Sequence, residues 1–195
     1  MSIERSPRMI GPQSARLRAA LSYAKKRRLK RLAIDPDPDL QTFTFPDDAA
    51  SVSNFKLKGN RVSPNSNRKL KRISFRTDAA NVSVFVFEVS PDNTATIQNI
   101  LFSSSAFASL GTTLQEFVFP TAPILVAGTH YAVCIYFETG IPHLYYSNLI
   151  PVDGSGVFNF HSLIRSNLAI AEGVNIGDAS VTSSWAISLI TERLA

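Results

Sequence analysis

From Leu40 onward, apolar residues recur at every second position. In QTFTFP (41–46), Phe43 and Phe45 alternate with polar neighbours, and in NFKLKG (54–59) Phe55 and Leu57 alternate with Lys56 and Lys58. A period of two is the mark of a half-buried strand, whose successive side chains point to opposite faces. RKLKRISFRT (68–77) continues the pattern with Leu70, Ile73 and Phe75. Further strands are expected at 81–89, 96–105, 113–120, 124–138 with a break at Gly128, 143–149, 156–164 and 184–190. Turn chemistry separates them: Pro64-Asn65-Ser66-Asn67, Thr77-Asp78, Ser90-Pro91-Asp92-Asn93, Gly140-Ile141-Pro142 and Asp153-Gly154-Ser155-Gly156. Many short strands at regular spacing predict an all-β fold, an antiparallel jelly-roll β-sandwich over residues 40–195. The aromatic content agrees, with thirteen Phe against one Trp. Residues 165–178 are read as a loop or one helical turn.

The first 39 residues obey a different rule. Gly11-Pro12-Gln13-Ser14 reads as a helix start, and Ala15–Ala33 holds no Gly or Pro. Leu17, Leu21 and Ala24 share one face, with Leu29 and Leu32 on an offset stripe. So narrow a stripe needs a partner surface. Six of the seven residues from Lys25 to Arg31 are cationic: Lys25, Lys26, Arg27, Arg28, Lys30 and Arg31. Pro36 and Pro38 end the helix and hold Asp35, Asp37 and Asp39 in an extended spacer. Carboxylates alternating on such a spacer diverge, and no calcium-loop pattern follows. Residues 1–34 carry a net charge of +9 and residues 35–195 a net of −4. The division expected is therefore a basic helical anchoring extension with a Pro/Asp spacer (1–39), followed by the β domain (40–195). Eight of the ten cations of residues 35–195 lie between Lys56 and Arg76.

At 117–137, FVFPTAPILVAGTHYAVCIYF, the chain resembles a jelly-roll family found in bacterial surface choice-of-anchor domains and in phage tail-fibre, baseplate and other virion sandwiches. Phe117, Phe119, Pro123, Leu125, Ala127, Gly128, Thr129 and Tyr131 carry the likeness. Strand-like 68–77 and 81–89 before it, and Trp185 leading into a closing apolar strand, fit as well. The resemblance extends over roughly 40–195 and implies a structural protein of a virus particle. On residues alone, Gly128 suits a corner that needs positive φ.

Catalytic signatures are absent from the sequence. His130, His143 and His161 are spaced by thirteen and eighteen residues, which is no zinc motif, and no Cys pair assists them. Neither a nucleophile elbow nor a phosphate loop is present. Cys134, inside YAVCIYF, reads as a small buried hydrophobe. We expect no enzyme, no cofactor and no metal. His143, Tyr145 and Tyr146 follow a Gly-Ile-Pro turn and are candidate glycan-stacking or interface aromatics. Adjacent tyrosines on a strand point apart, so one is expected inward and one outward. Trp185 is expected in the core.

No stretch approaches the apolar length of a membrane span, and no signal-peptide core opens the chain. The expected function is that of a non-enzymatic phage virion component, assembled in the host cytoplasm. The cationic helix docks on a neighbouring virion protein, and the sandwich forms part of a tail fibre, baseplate or adaptor. The expected partners are other virion structural proteins and further copies of the chain, with a homotrimer as the guess. Two alternatives stand beside this reading. One is a capsid decoration or coat protein whose basic helix contacts nucleic acid. The other is a carbohydrate-binding module for a host-surface glycan.

Overall fold

The computed structural model describes residues 40–43, 49–52, 55–138, 143–147, 156–177 and 184–194. The expected N-terminal helix, Lys25, Lys26, Arg27, Arg28, Lys30, Arg31 and the aspartate spacer lie outside these residues, as do Phe45 and the turn at 153–155. Every element among the described residues is a β-strand, and every pairing is antiparallel. In chain order these are β1 (Leu40–Phe43), β2 (Ala49–Val52), β3 (Leu57–Pro64), β4 (Arg68–Phe75), β5 (Asn81–Val89), β6 (Ile97–Ser103) and β7 (Phe107–Ala108). Then follow β8 (Gln115–Val118), β9 (Ile124–Leu125), β10 (Tyr131–Phe137), β11 (His143–Ser147), β12 (Phe158–Ser166), β13 (Ser184–Trp185) and β14 (Ser188–Arg193).

They form three sheets. The first runs β1-β14-β4-β8, with β9 also on β4. The second runs β12-β3-β10-β5-β6, with β7 also on β5. The third is β13-β11-β2. One apolar cluster draws on the first two sheets together: Leu70, Ile73, Phe75 and Leu189 from one, Val62, Val84, Val133 and Ile135 from the other. The second sheet also has an apolar cluster on its opposite face, where Leu57, Phe87, Cys134 and Ile164 pack beneath Ile170, Val174 and Ile176. That cover comes from residues 167–177, which carry isolated bridges at Asn175 and Gly177 and no helical turn.

Coverage on both faces explains a departure from the alternating pattern. All eight residues of β3 are buried, Lys58 with Leu57. Lys58, on the face opposite Leu57 as the alternation predicts, is sealed against the other interior. The same strand requires Gly59, because a β-carbon there would lie 2.3 Å from the Val133 carbonyl oxygen and 2.4 Å from Cys134 Sγ.

Bulges reconcile other patterns with the pleat. In β4, Ile190 pairs with Arg72 and Thr191 with Leu70, so Lys71 is the extra residue. That insertion lets Leu70 and Ile73, three apart, both face inward. The 124–138 segment breaks where expected: β9 belongs to the first sheet and β10 to the second, and Gly128 turns between them at φ 75°. The expected strand 184–190 is two elements, with Trp185 in the small sheet and Ser188–Arg193 in the first. β2 and β7, short and weakly patterned, had no counterpart among the expected strands. Cys134 and Trp185 are buried as expected.

Candidate functional site

The residues after β4 turn toward the small sheet, and a polar cluster forms there. Thr77 bridges to Leu144 of β11. The Thr77 hydroxyl donates to the His143 carbonyl at 2.6 Å and accepts from the Ala79 amide at 3.2 Å. The Asp78 carboxylate accepts from the His143 amide at 2.6 Å, and its second oxygen pairs with His143 Nδ1. A carboxylate can only accept, so Nδ1 carries the proton and Nε2 is left facing outward from the pair. Burial pushes the Asp78 carboxyl up, but the side-chain and backbone hydrogen bonds from His143 and its charge outweigh this and hold it below the usual range.

Two strand positions on, Tyr145 is half-buried and the Arg76 guanidinium sits 5.9 Å from its ring centre. Leu144 between them is wholly buried, so His143 and Tyr145 share the opposite face of β11. The sequence predicted His143, Tyr145 and Tyr146 as a group. The backbone brings Tyr146 opposite Trp185 of β13 and Ala49 of β2. Arg76 and Asp78, which reasoning from sequence did not attach to this group, are contributed by the turn after β4. The Thr77-Asp78 turn signal was legible, but its contact with a strand 65 residues on was not.

Behind this surface lies Lys58. Its ammonium is 5.0 Å from the Phe137 ring centre and 5.4 Å from that of Trp185. An ammonium over aromatic faces recovers part of its lost hydration. Burial brings the Lys58 pKa down to about 8, opposed by the Asp78 charge. Trp185 is itself fixed at three points: its amide and carbonyl to the Asn60 side chain, and its indole N–H to the Ile164 carbonyl at 3.0 Å.

A second cluster forms at another part of the second sheet. His161 is the extra residue of a bulge in β12, between Phe160 and Ser162. Its ring stacks on His130, centroids 4.1 Å apart, and its Nε2 lies 2.8 Å from the Ser63 hydroxyl. Arg61, 5% exposed, donates to the Asp92 carbonyl beside them. Burial, then His130 and Arg61, push His161 down to about 4, and burial with Arg61 lowers His130 as well. Both rings are therefore neutral near pH 7. The Asp92 carboxylate is committed to Ser90 Oγ, the Thr94 amide and Thr94 Oγ1, which hold it below the ordinary carboxylate range. Among the described residues no group of three or more His, Cys, Asp or Glu is disposed to hold a metal ion. The His143–Asp78 pair has the form of a general-base dyad, yet no Ser, Thr or Cys side chain among the described residues is hydrogen-bonded to the ring.

No family model and no curated protein matches the sequence. Solved structures share the fold. One is the clostridial cysteine protease Cwp84 after propeptide cleavage, with a TM-score of 0.56 and 15% identity over 82% of this chain and 41% of that one. Another is described as the cysteine protease and lectin-like domains of Cwp84, a surface layer associated protein of Clostridium difficile, with a TM-score of 0.52 and 18% identity over 82% of this chain and 37% of that one. This chain thus corresponds to about two fifths of those proteins.

Proposed function

We propose that the protein is a non-enzymatic structural component of a phage particle, a tail-fibre, baseplate or adaptor part. Its basic extension docks on a neighbouring particle protein, and its β domain supplies the wall or projection. The observation that carries this reading is the charge division: +9 in residues 1–34 against −4 in the remainder. Three of the fourteen acids after residue 34 are the spacer aspartates, so the β domain (40–195), with ten Lys/Arg against eleven Asp/Glu, is nearly neutral, and so strongly cationic a segment finds its complement on an acidic surface outside it.

The fold we assign to the body is the jelly roll. Take β1, β3, β4, β5, β6, β8, β10 and β14 as eight successive strands. Their order is first-eighth-third-sixth in one sheet and second-seventh-fourth-fifth in the other. This interleaving is the one that two nested Greek keys generate, and β12 extends the second sheet beyond β3.

The test is removal of residues 1–34. The remaining chain should stay soluble and folded but fail to join its particle. Normal incorporation of the truncated chain would refute the docking role. In the coat-protein alternative, the full chain binds nucleic acid with affinity falling steeply as salt rises.

Glycan binding is the second reading, and one observation favours it. Tyr145 presents an aromatic ring on the same face as the His143–Asp78 pair, an arrangement of stacking surface and hydrogen-bonding groups that a sugar ring fits. A lectin-like domain is also named in the description of one protein that shares the fold. Here binding to a glycan array should survive loss of residues 1–34 and be abolished by Tyr145→Ala.

A further inference from the structure

We propose that the outer face of the first sheet, along its β8–β9 edge, docks a second copy of this chain about a two-fold axis. Leu114, Val118, Ile124 and Val126 are 55%, 65%, 54% and 49% exposed. Val118 and Ile124 stand on strands paired to β4, and Glu116 interrupts the apolar side chains between Leu114 and Val118. Val118 pairs opposite Arg72 and Ile124 opposite Lys69, both on β4. Between them the chain leaves and returns beside the same strand, with the Phe119 amide on the Lys71 carbonyl and the Leu70 amide on the Pro123 carbonyl. Leu114 directly precedes β8 and Val126 directly follows β9.

Charges of both signs are set among and beside these apolar side chains. Arg72 pairs with Glu116 at 3.0 Å and Lys71 with Glu192 at 3.1 Å, all four side chains roughly a third to a half exposed. Exposed pairs of this kind hold little energy and exchange partners readily. The cationic segment 25–31 is a poor occupant, because it would meet Lys69, Lys71 and Arg72. A polyanion would meet Glu116 and Glu192. A surface that carries apolar side chains set among both signs is complementary to itself, and a two-fold contact uses the same patch on both partners. Pro120 and Pro123 interrupt the edge and disfavour strand-to-strand pairing, so the contact is face to face.

The inference deepens the assembly reading and rests on it only in requiring many copies of the chain to meet. Its test is the mass of the full chain by light scattering in nuclease-treated, moderate-salt buffer. The expected result is twice the 21.3 kDa chain mass, or an even multiple of it. Val118→Asp should halve the mass and leave a folded monomer whose unfolding is cooperative and no longer depends on protein concentration, while Leu168→Asp, 57% exposed elsewhere, should not change the mass. Ile124→Asp gives the same readout should Val118→Asp fail to fold. A monomeric parent chain over the accessible concentration range would overturn the proposal. So would an oligomer that both aspartate variants leave intact. Either result leaves particle docking to be judged by the truncation experiment alone.

Discussion

The Asn60 side chain grips the Trp185 backbone with both ends of its amide, Nδ2 donating to the carbonyl at 2.7 Å and Oδ1 accepting from the amide at 2.9 Å. The amide thereby stands in for a neighbouring strand at the point where β13 leaves the small sheet. Both residues are buried, so neither bond has water to replace it. The indole N–H, held by Ile164, completes the fixation, and the ring then forms one wall of the Lys58 site.

Asn60→Ala should therefore be costly. The Trp185 amide loses its partner, worth about 1–3 kcal/mol when left unsatisfied, while the Trp185 carbonyl loses one of two bonds and keeps the Ile187 amide at 2.8 Å. A loss of about 1–3 kcal/mol in urea unfolding is expected, read as a lower midpoint at unchanged m-value. A loss below about 0.5 kcal/mol, the range of an ordinary surface substitution, would show that the amide clip does not hold Trp185.

Gly59→Ala should destabilise through overpacking, by about 1–3 kcal/mol or more. Adding Cys134→Ala should rescue only part of the loss. It removes the sulfur, but the Val133 carbonyl oxygen remains 2.3 Å from the new methyl group. The double variant, compared with each single one, separates the side-chain obstacle from the backbone one.

Acidification should weaken the fold through the stacked histidines. His161 falls from an ordinary 6.5 to about 4 in the folded chain. The unfolded chain therefore binds the extra proton first, and stability declines as pH drops from about 6.5 toward 4. Asp78 acts in the same direction further down. Its depressed folded value contributes stability that is lost as the carboxylate protonates. His161→Gln should flatten the thermal-midpoint profile between pH 6.5 and 4. An unchanged slope in that variant would mean that the pair does not govern acid stability.

Lys58 offers a direct spectroscopic check. Its ammonium should titrate near pH 8 by NMR. Asp78→Asn removes the charge that opposes desolvation, so the titration should move lower still. Because the folded value lies below the ordinary 10.5, stability should rise with pH between about 8 and 10.5.

Much of the fold was legible because it rests on local alternation. The strand 81–89 coincides with β5 end to end. Gly128 was recognisable as a corner because only glycine takes positive φ there without strain. β3 was not legible to its full length, since LKGNRVSP is rich in polar residues. Its buried polar side chains meet partners distant in sequence: Trp185 for Asn60, aromatic rings for Lys58, and the Asp92 carbonyl for Arg61. No local pattern reports such contacts. The candidate site divides the same way. His143 and Tyr145 stood out beside their turn, whereas Asp78 and Arg76 reach them across the fold. His130 and His161 were read only as histidines whose spacing gives no zinc motif, and it is the bulge at His161 within β12 that accompanies their meeting.

The measurement that bears most directly on the proposed role is particle incorporation of the chain lacking residues 1–34, scored beside the intact chain in the same assembly reaction. The account predicts a folded body, with its Trp185 fluorescence and near-UV signal retained, that is excluded from the particle. A truncated chain that enters particles at the level of the intact one would contradict it.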